Sequence, residues 1–283
     1  MKKILNIIAA IAVVFAAKAA ESDSVVVERP VVSVYSLEAG TAHIAQTYLS
    51  PLRYSGLALA LSYERMQAMR FDPDRWVMRL SGRLDGARTY NNPARNASMW
   101  DLDLSLGWSM SYRRNFGAWS LYGGGYTSAE VGVLYASRNG NNPVAAKAAW
   151  NIGITAAAVY HTSLKGRPLT LRYLAEMPLT GIFFAPEYGE LYFEIYLGNH
   201  KGLVHGAWPG NYFRLNNLLT ADIALGRTIL RLGYRCGITS TKANGIVGRH
   251  IAHTAVVGIA SEWISLSPSR KPDVNARYVS ALY

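Results

Sequence analysis

Half of the 283 residues are hydrophobic, yet beyond the first twenty no eighteen apolar residues run together, so the body of the chain offers no helical membrane span. The single cysteine, Cys236, excludes an internal disulfide, and its position excludes a lipidated N-terminal thiol. A formal net charge of +11 would suit nucleic acid, but an exported chain meets lipopolysaccharide phosphates and acidic glycans instead.

Residues 1–19 read as a cleavable signal peptide. Lys2 and Lys3 precede an apolar run from Ile4 to Ala17 that is short for a membrane span, and Ala17-Lys18-Ala19 is a small-x-small cleavage site. Losing Lys2, Lys3 and Lys18 with the signal leaves a charge of +8. Residues 20–30 read as an exported linker, 31–266 as an outer-membrane barrel, and 267–283 as a closing strand or tail.

In chain order, a first strand is expected between Val31 and Tyr48, with a possible kink at Glu38-Ala39-Gly40, and Ser50-Pro51-Leu52 breaks it. Leu57, Leu59, Leu61 and Tyr63 share one face of the second. Trp76, Met78, Leu80 and Leu84 oppose Arg79, Ser81, Arg83 and Asp85 on the third. The fourth, Trp100 to Tyr112, alternates without a slip: Trp100, Leu102, Leu104, Leu106, Trp108, Met110 and Tyr112 on one side, Asp101, Asp103 and small residues on the other. Period two is the strand period. At roughly 3.3 Å per residue and a tilt near 40°, such a strand rises about 30 Å, enough to cross an outer membrane.

A strand from Trp119 toward Tyr135 contains Gly123-Gly124-Gly125, which suggests a bulge or sharp curvature. Residues 138–143 (RNGNNP) are a turn. Trp150 to Tyr160, Leu169 onward and Leu191 to Leu197 give three further strands, and the last clear ones begin near Phe213, Ile229 and Ile251. With a doubtful closing strand at 274–283, the expectation is an all-β antiparallel transmembrane β-barrel of about 12 strands. Loop lengths alternate, short then long, up to Tyr173 and lose that parity afterwards.

The alternation turns Arg79, Arg83, Asp85, Asp101, Asp103, Arg172, Glu176, Glu194, Asp222, Arg231 and Arg235 toward the lumen, with Glu64, Glu130 and Glu262. Arg79 and Arg83 are placed to pair across to Asp101 and Asp103. The interior is then either a narrow anion-preferring channel lined by Arg79, Arg83, Arg172, Arg231 and Arg235, or one closed by salt bridges. Trp76, Trp100, Trp108, Trp119, Trp150 and Trp263 suit interface girdles.

Chemistry is thinly signalled. The six histidines show no HExxH spacing, and there is no GxSxG elbow, so neither metal nor catalytic residues nor a cofactor are assigned. A barrel-rim lipid hydrolase, acting on lipid A or phospholipid acyl esters, would draw on Asn199, His200 and His205, with Ser50, His43 and Asn216 as partners. Surface adhesion or glycan contact is a further alternative.

Three segments carry a resemblance: Gly181 to Tyr234 (GIFFAPEYGELYFEIYLGNHKGLVHGAWPGNYFRLNNLLTADIALGRTILRLGY), GTAHIAQTYLSPLRYSG from Gly40, and RNGNNPVAAKA from Arg138. Together they resemble an uncharacterised domain-of-unknown-function family of exported, barrel-like proteins from Bacteroides-type Gram-negative bacteria. The resemblance implies an envelope protein and no catalytic residues. The reading is therefore a cell outer membrane barrel, a narrow channel or structural protein leaning away from enzyme. Its expected partners are outer-membrane lipid, lipopolysaccharide and the barrel-assembly machinery, without nucleic acid.

Overall fold

In the computed structural model, which describes residues 27–140, 142–187, 192–198, 201–226, 228–264 and 276–283, the alternating segments become long antiparallel strands. They are β2 (Val31–Gln46), β3 (Ser50–Ala68), β4 (Trp76–Asn91), β5 (Ser98–Phe116), β6 (Trp119–Ala136), β7 (Val144–Leu164), β8 (Arg167–Phe184), β10 (Tyr212–Leu225), β11 (Thr228–Ala243) and β12 (Ile246–Trp263). Each pairs with its sequence neighbour, β12 pairs with β2, and β10 pairs with β8, so these ten close on themselves. A short extra strand, β9 (Val204–Ala207), continues the β8 edge beyond β10. The signal peptide and most of the linker lie outside the described residues.

Two compact units are formed. In one, β1 (Val27–Glu28) and β13 (Arg277–Tyr278) make a parallel ladder, Val27 opposite Arg277 and Glu28 opposite Tyr278. The other, Arg29–Ser265 with Val279–Tyr283, holds the barrel.

The barrel has ten long strands where the sequence suggests twelve, and two segments account for the difference. Leu191 to Leu197, expected as a strand, contains a one-turn helix, α1 (Tyr192–Tyr196). Both edges of β8 and β10 are already taken, so this alternating run has no ladder to join. The chain's last residues pack inside the barrel, and the β8–β10 ladder makes the closure. With α1 removed from the count, β10 is the next long strand after β8 and the loop parity is restored. One end then carries the connections that follow β3, β5, β7 and β10. The other carries those that follow β2, β4, β6, β8 and β11. We call these the turn end and the loop end.

Local chemistry fixes the register. Lys165-Gly166 and Asn244-Gly245 have φ of 50° and 77°, and 50° and 73°, the two positive φ values of a type I′ hairpin whose twist matches its strands. At the triple glycine the β5–β6 register runs without a bulge. Gly124 is needed there because a Cβ would lie 2.0 Å from the Met110 carbonyl oxygen. The register shifts lie instead at Ala45/Gln46 and Ile152/Gly153, and β2 runs unbroken through Glu38-Ala39-Gly40.

The two faces are opposite in character. Each of the ten strands presents leucine, isoleucine or valine outward, from Leu37 on β2 (65% exposed) through Leu106 on β5 (57%) to Ile259 on β12 (58%). Trp100 and Tyr135 edge this belt toward the loop end; Trp76, Tyr112, Trp119 and Trp263 edge it toward the turn end; Trp150 lies within it, in the row of Ala129 and Leu106. Trp108 lies within the belt, opposite Leu80 and Thr127, not at its edge.

Candidate functional site: a filled lumen

Residues of the other parity point inward and fill the lumen in three tiers. At the turn end, Ala281 and Leu282 join Val32, Val34, Met66, Val77, Tyr122, Val159 and Ala260 in an apolar cap. Polar bonds hold it: Arg113 donates to the carbonyl oxygens of Ser280 (2.5 Å), Pro73 (3.0 Å) and Asp74 (3.1 Å), and the Tyr122 hydroxyl to that of Ala281 (3.0 Å). The Tyr283 hydroxyl donates to Asp222 Oδ2 at 2.7 Å, joining the cap to the tier above.

The middle tier is an ion-pair network. Arg231 grips Asp222 through both carboxylate oxygens (2.7 and 2.6 Å) and approaches Glu64 at 3.8 Å. Arg172 bonds Glu64 at 2.5 Å. Arg79 pairs with Glu176, which also accepts from Asn216 (3.0 Å). Glu38 accepts from Arg235 (3.0 and 3.1 Å), Arg83 (3.3 Å), Thr254 (3.0 Å) and Ser62 (3.0 Å). Arg83 also pairs with Asp85, and Arg214 with Glu130. Such groups cannot be buried singly; each guanidinium here ends on a carboxylate that would otherwise carry the full cost of desolvation. A cavity of about 130 Å³ among Arg79, Arg83, Tyr126, Arg214 and Asn216 leaves room for several waters.

Toward the loop end lies the group Asp101, Asp103 and His250, with ligand atoms within 4.8 Å of one another. That geometry could hold a metal, but the cation in it is the Lys147 ammonium, 2.6 Å from Asp101 and bonded also to Asp103. Above it, Ile44, Tyr48, Leu49, Tyr54, Met99, Leu134 and Ile246 form the third tier, with the α1 residue Tyr192 packed against it. The Tyr192 oxygen accepts from the Ala146 N–H at 2.6 Å, and burial pushes its hydroxyl up to about 12.

Of the residues expected in the lumen, Arg79, Arg83, Asp85, Asp101, Asp103, Arg172, Glu176, Asp222, Arg231 and Arg235 meet in these tiers. Glu194 does not: it is exposed on α1. The expected pairing also changes, because Arg79 and Arg83 turn to Glu176, Glu38 and Asp85, and Lys147 takes Asp101 and Asp103. Glu38, Arg113, Lys147 and Arg214 are lumen groups the sequence reading omitted. Each shares the inward parity of its strand; Glu38 was hidden by the supposed kink and Lys147 by its nearness to a turn.

The hydrolase candidates are dispersed. His43 faces outward, Asn216 bonds Arg235 and Glu176 in the middle tier, and Ser50 accepts from the Tyr54 hydroxyl (3.1 Å). His205 on β9 contacts the Ala185 carbonyl (3.1 Å) and Asn244 (3.2 Å) through Nε2. Asn199 and His200 lie outside the described residues.

A closed antiparallel barrel with an apolar belt outside and a charge-compensated interior is the architecture of outer-membrane barrels. The chain belongs to the family described as proteins of unknown function, DUF3316, whose model matches residues 5–270. No curated protein matches it. Among solved structures it is similar to the outer membrane protease OmpT from Escherichia coli, at 6% identity and a TM-score of 0.47, over 87% of this chain and 99% of that one. An outer membrane channel from Pseudomonas putida matches at 10% identity and a TM-score of 0.36, over 86% and 100% of the respective chains. The translocator domain of the autotransporter NalP from Neisseria meningitidis matches at 9% and 0.34, over 88% and 92%.

Proposed function

We infer that the chain is exported to the outer membrane and spans it as a barrel whose lumen is closed, with a structural rather than a conducting or catalytic part in the envelope. The observation that carries this reading is the contrast between the two faces of every long strand. Exposed aliphatic side chains run right round the outside, far beyond the few hundred Å² of apolar patch usual on a soluble monomer. Inside, acids and bases are matched and capped at both ends by apolar clusters. An even number of strands, short turns at one end and longer connections at the other, suit periplasmic and external faces. A narrow anion channel is less well supported, since Arg79, Arg83, Arg172, Arg231 and Arg235 all end on carboxylates. On this reading the partners are outer-membrane lipid and the barrel-assembly machinery.

A charge on the lipid face tests it. Leu104→Arg, within the belt, should cost about 2–4 kcal/mol of folding into vesicles, read by heat-modifiable gel mobility. Leu164→Arg, beside the 165–166 turn, should cost almost nothing. Equal tolerance of both would mean that the belt does not meet lipid.

A further inference from the structure

The outward rows on β3, β4, β5 and β6 are regular except at one place. Leu61, Leu84, Leu104 and Val131 lie side by side, and the next row toward the loop end is Leu59, Gly86, Leu102 and Val133. Gly86 leaves a notch in that wall. It is not demanded by crowding, because a Cβ there would meet nothing closer than the Asp101 carbonyl oxygen at 3.5 Å. The following row is Leu57, Arg88, Trp100 and Tyr135, so the notch is roofed by a cation. The Arg88 guanidinium stacks on Trp100 (4.7 Å) and Tyr90 (5.3 Å), and Arg95 stacks on the same Tyr90 ring (5.0 Å). Arg95 is held at φ 50°, a backbone region that favours glycine or asparagine. Arg53 is exposed nearby, its carbonyl bonded by the Asn92 N–H at 3.0 Å. Among the described residues, none of these three arginines pairs with a carboxylate, in contrast to the arginines of the middle tier.

We propose that this wall binds a phosphorylated glycolipid of the lipid A class, one acyl chain lying in the Gly86 notch and a phosphate held by Arg88 and Arg95. The assignment rests on the membrane reading above, under which the loop end faces the outer leaflet. Both guanidinium groups lie over the Tyr90 ring, and a pair of cations above a hydrocarbon groove complements a phosphate joined to acyl chains.

The test uses the refolded full chain in detergent micelles, titrated with lipid A, dephosphorylated lipid A or phosphatidylglycerol and read by native mass spectrometry. Wild type should prefer lipid A to both others. Arg88→Ala with Arg95→Ala should weaken lipid A binding roughly 30-fold, the size expected of two cations at an anionic lipid surface. Gly86→Leu should weaken it by filling the notch. Arg114→Ala, which removes a guanidinium stacked on Phe116 at the opposite end, should leave it unchanged. If the alanine pair does not fold, glutamine at both positions is read instead. Equal binding of dephosphorylated lipid A, or unchanged binding in the double variant, would overturn the site, and equal binding of phosphatidylglycerol would overturn the glycolipid assignment. A wild type that fails to insert into vesicles would instead refute the membrane reading itself.

Discussion

Replacing Arg231 with methionine should cost the barrel about 3–5 kcal/mol, because it leaves Asp222 charged and buried with no cation and only the Tyr283 hydroxyl bonded to it. The structure sets that magnitude. The Arg231 side chain is 2% exposed and that of Asp222 is 0% exposed, and the pair is bidentate at 2.7 and 2.6 Å. The same pair in a wet, wide channel would be screened, and its loss would cost about 0.2–1 kcal/mol. The Asp222→Leu/Arg231→Met double variant should recover most of the loss, since apolar side chains of similar volume replace a buried pair at little cost. The assay is urea unfolding from vesicles, followed by heat-modifiable mobility, with the coupling energy taken from the four-variant cycle. A loss below 1 kcal/mol in Arg231→Met, with no coupling, would refute the burial of this pair away from bulk water.

Other expectations use different tiers. Leu282→Ala should destabilise the barrel by about 2–5 kcal/mol in the same assay, as expected for a side chain 2% exposed in the turn-end cap. Lys147→Ala removes the ammonium between Asp101 and Asp103; zinc present during refolding should then stabilise the variant by about 2.7 kcal/mol at one hundred times its Kd, and leave wild type unmoved. Gly124→Val should prevent barrel closure, because its Cβ would sit 2.0 Å from a backbone oxygen; a normal folded band would refute this. Tyr192, pushed up to about 12 by burial, is an acid whose folded value lies above its unfolded value near 10. Its contribution is therefore complete below pH 10 and fades as pH rises toward 12. Tyr192→Phe should remove that step from a stability profile.

Much of this architecture was legible in the sequence because a barrel strand writes two environments in alternation. Trp100 to Tyr112 shows it most clearly: Leu102, Leu104 and Leu106 are exposed, while Asp101 and Asp103 are buried. The same parity picked out Arg172, Glu176, Asp222 and Arg231. It failed at Leu191 to Leu197, where alternation occurs without a free strand edge and the chain turns into α1. Alternation also says which side a charge faces and not its height along the axis. It therefore points Arg79 and Arg83 at the acids of the adjacent strand, whereas Arg79 meets Glu176 from across the lumen. The Gly86 notch was invisible for a related reason, since it exists only when four strands are set in register.

The most direct test of a closed lumen is planar-bilayer conductance of the refolded chain, with folding and insertion confirmed on the same preparation. The paired interior and its two apolar caps predict a silent membrane. Stepwise single-channel openings that lose their anion preference in Arg79→Ala/Arg83→Ala would contradict it.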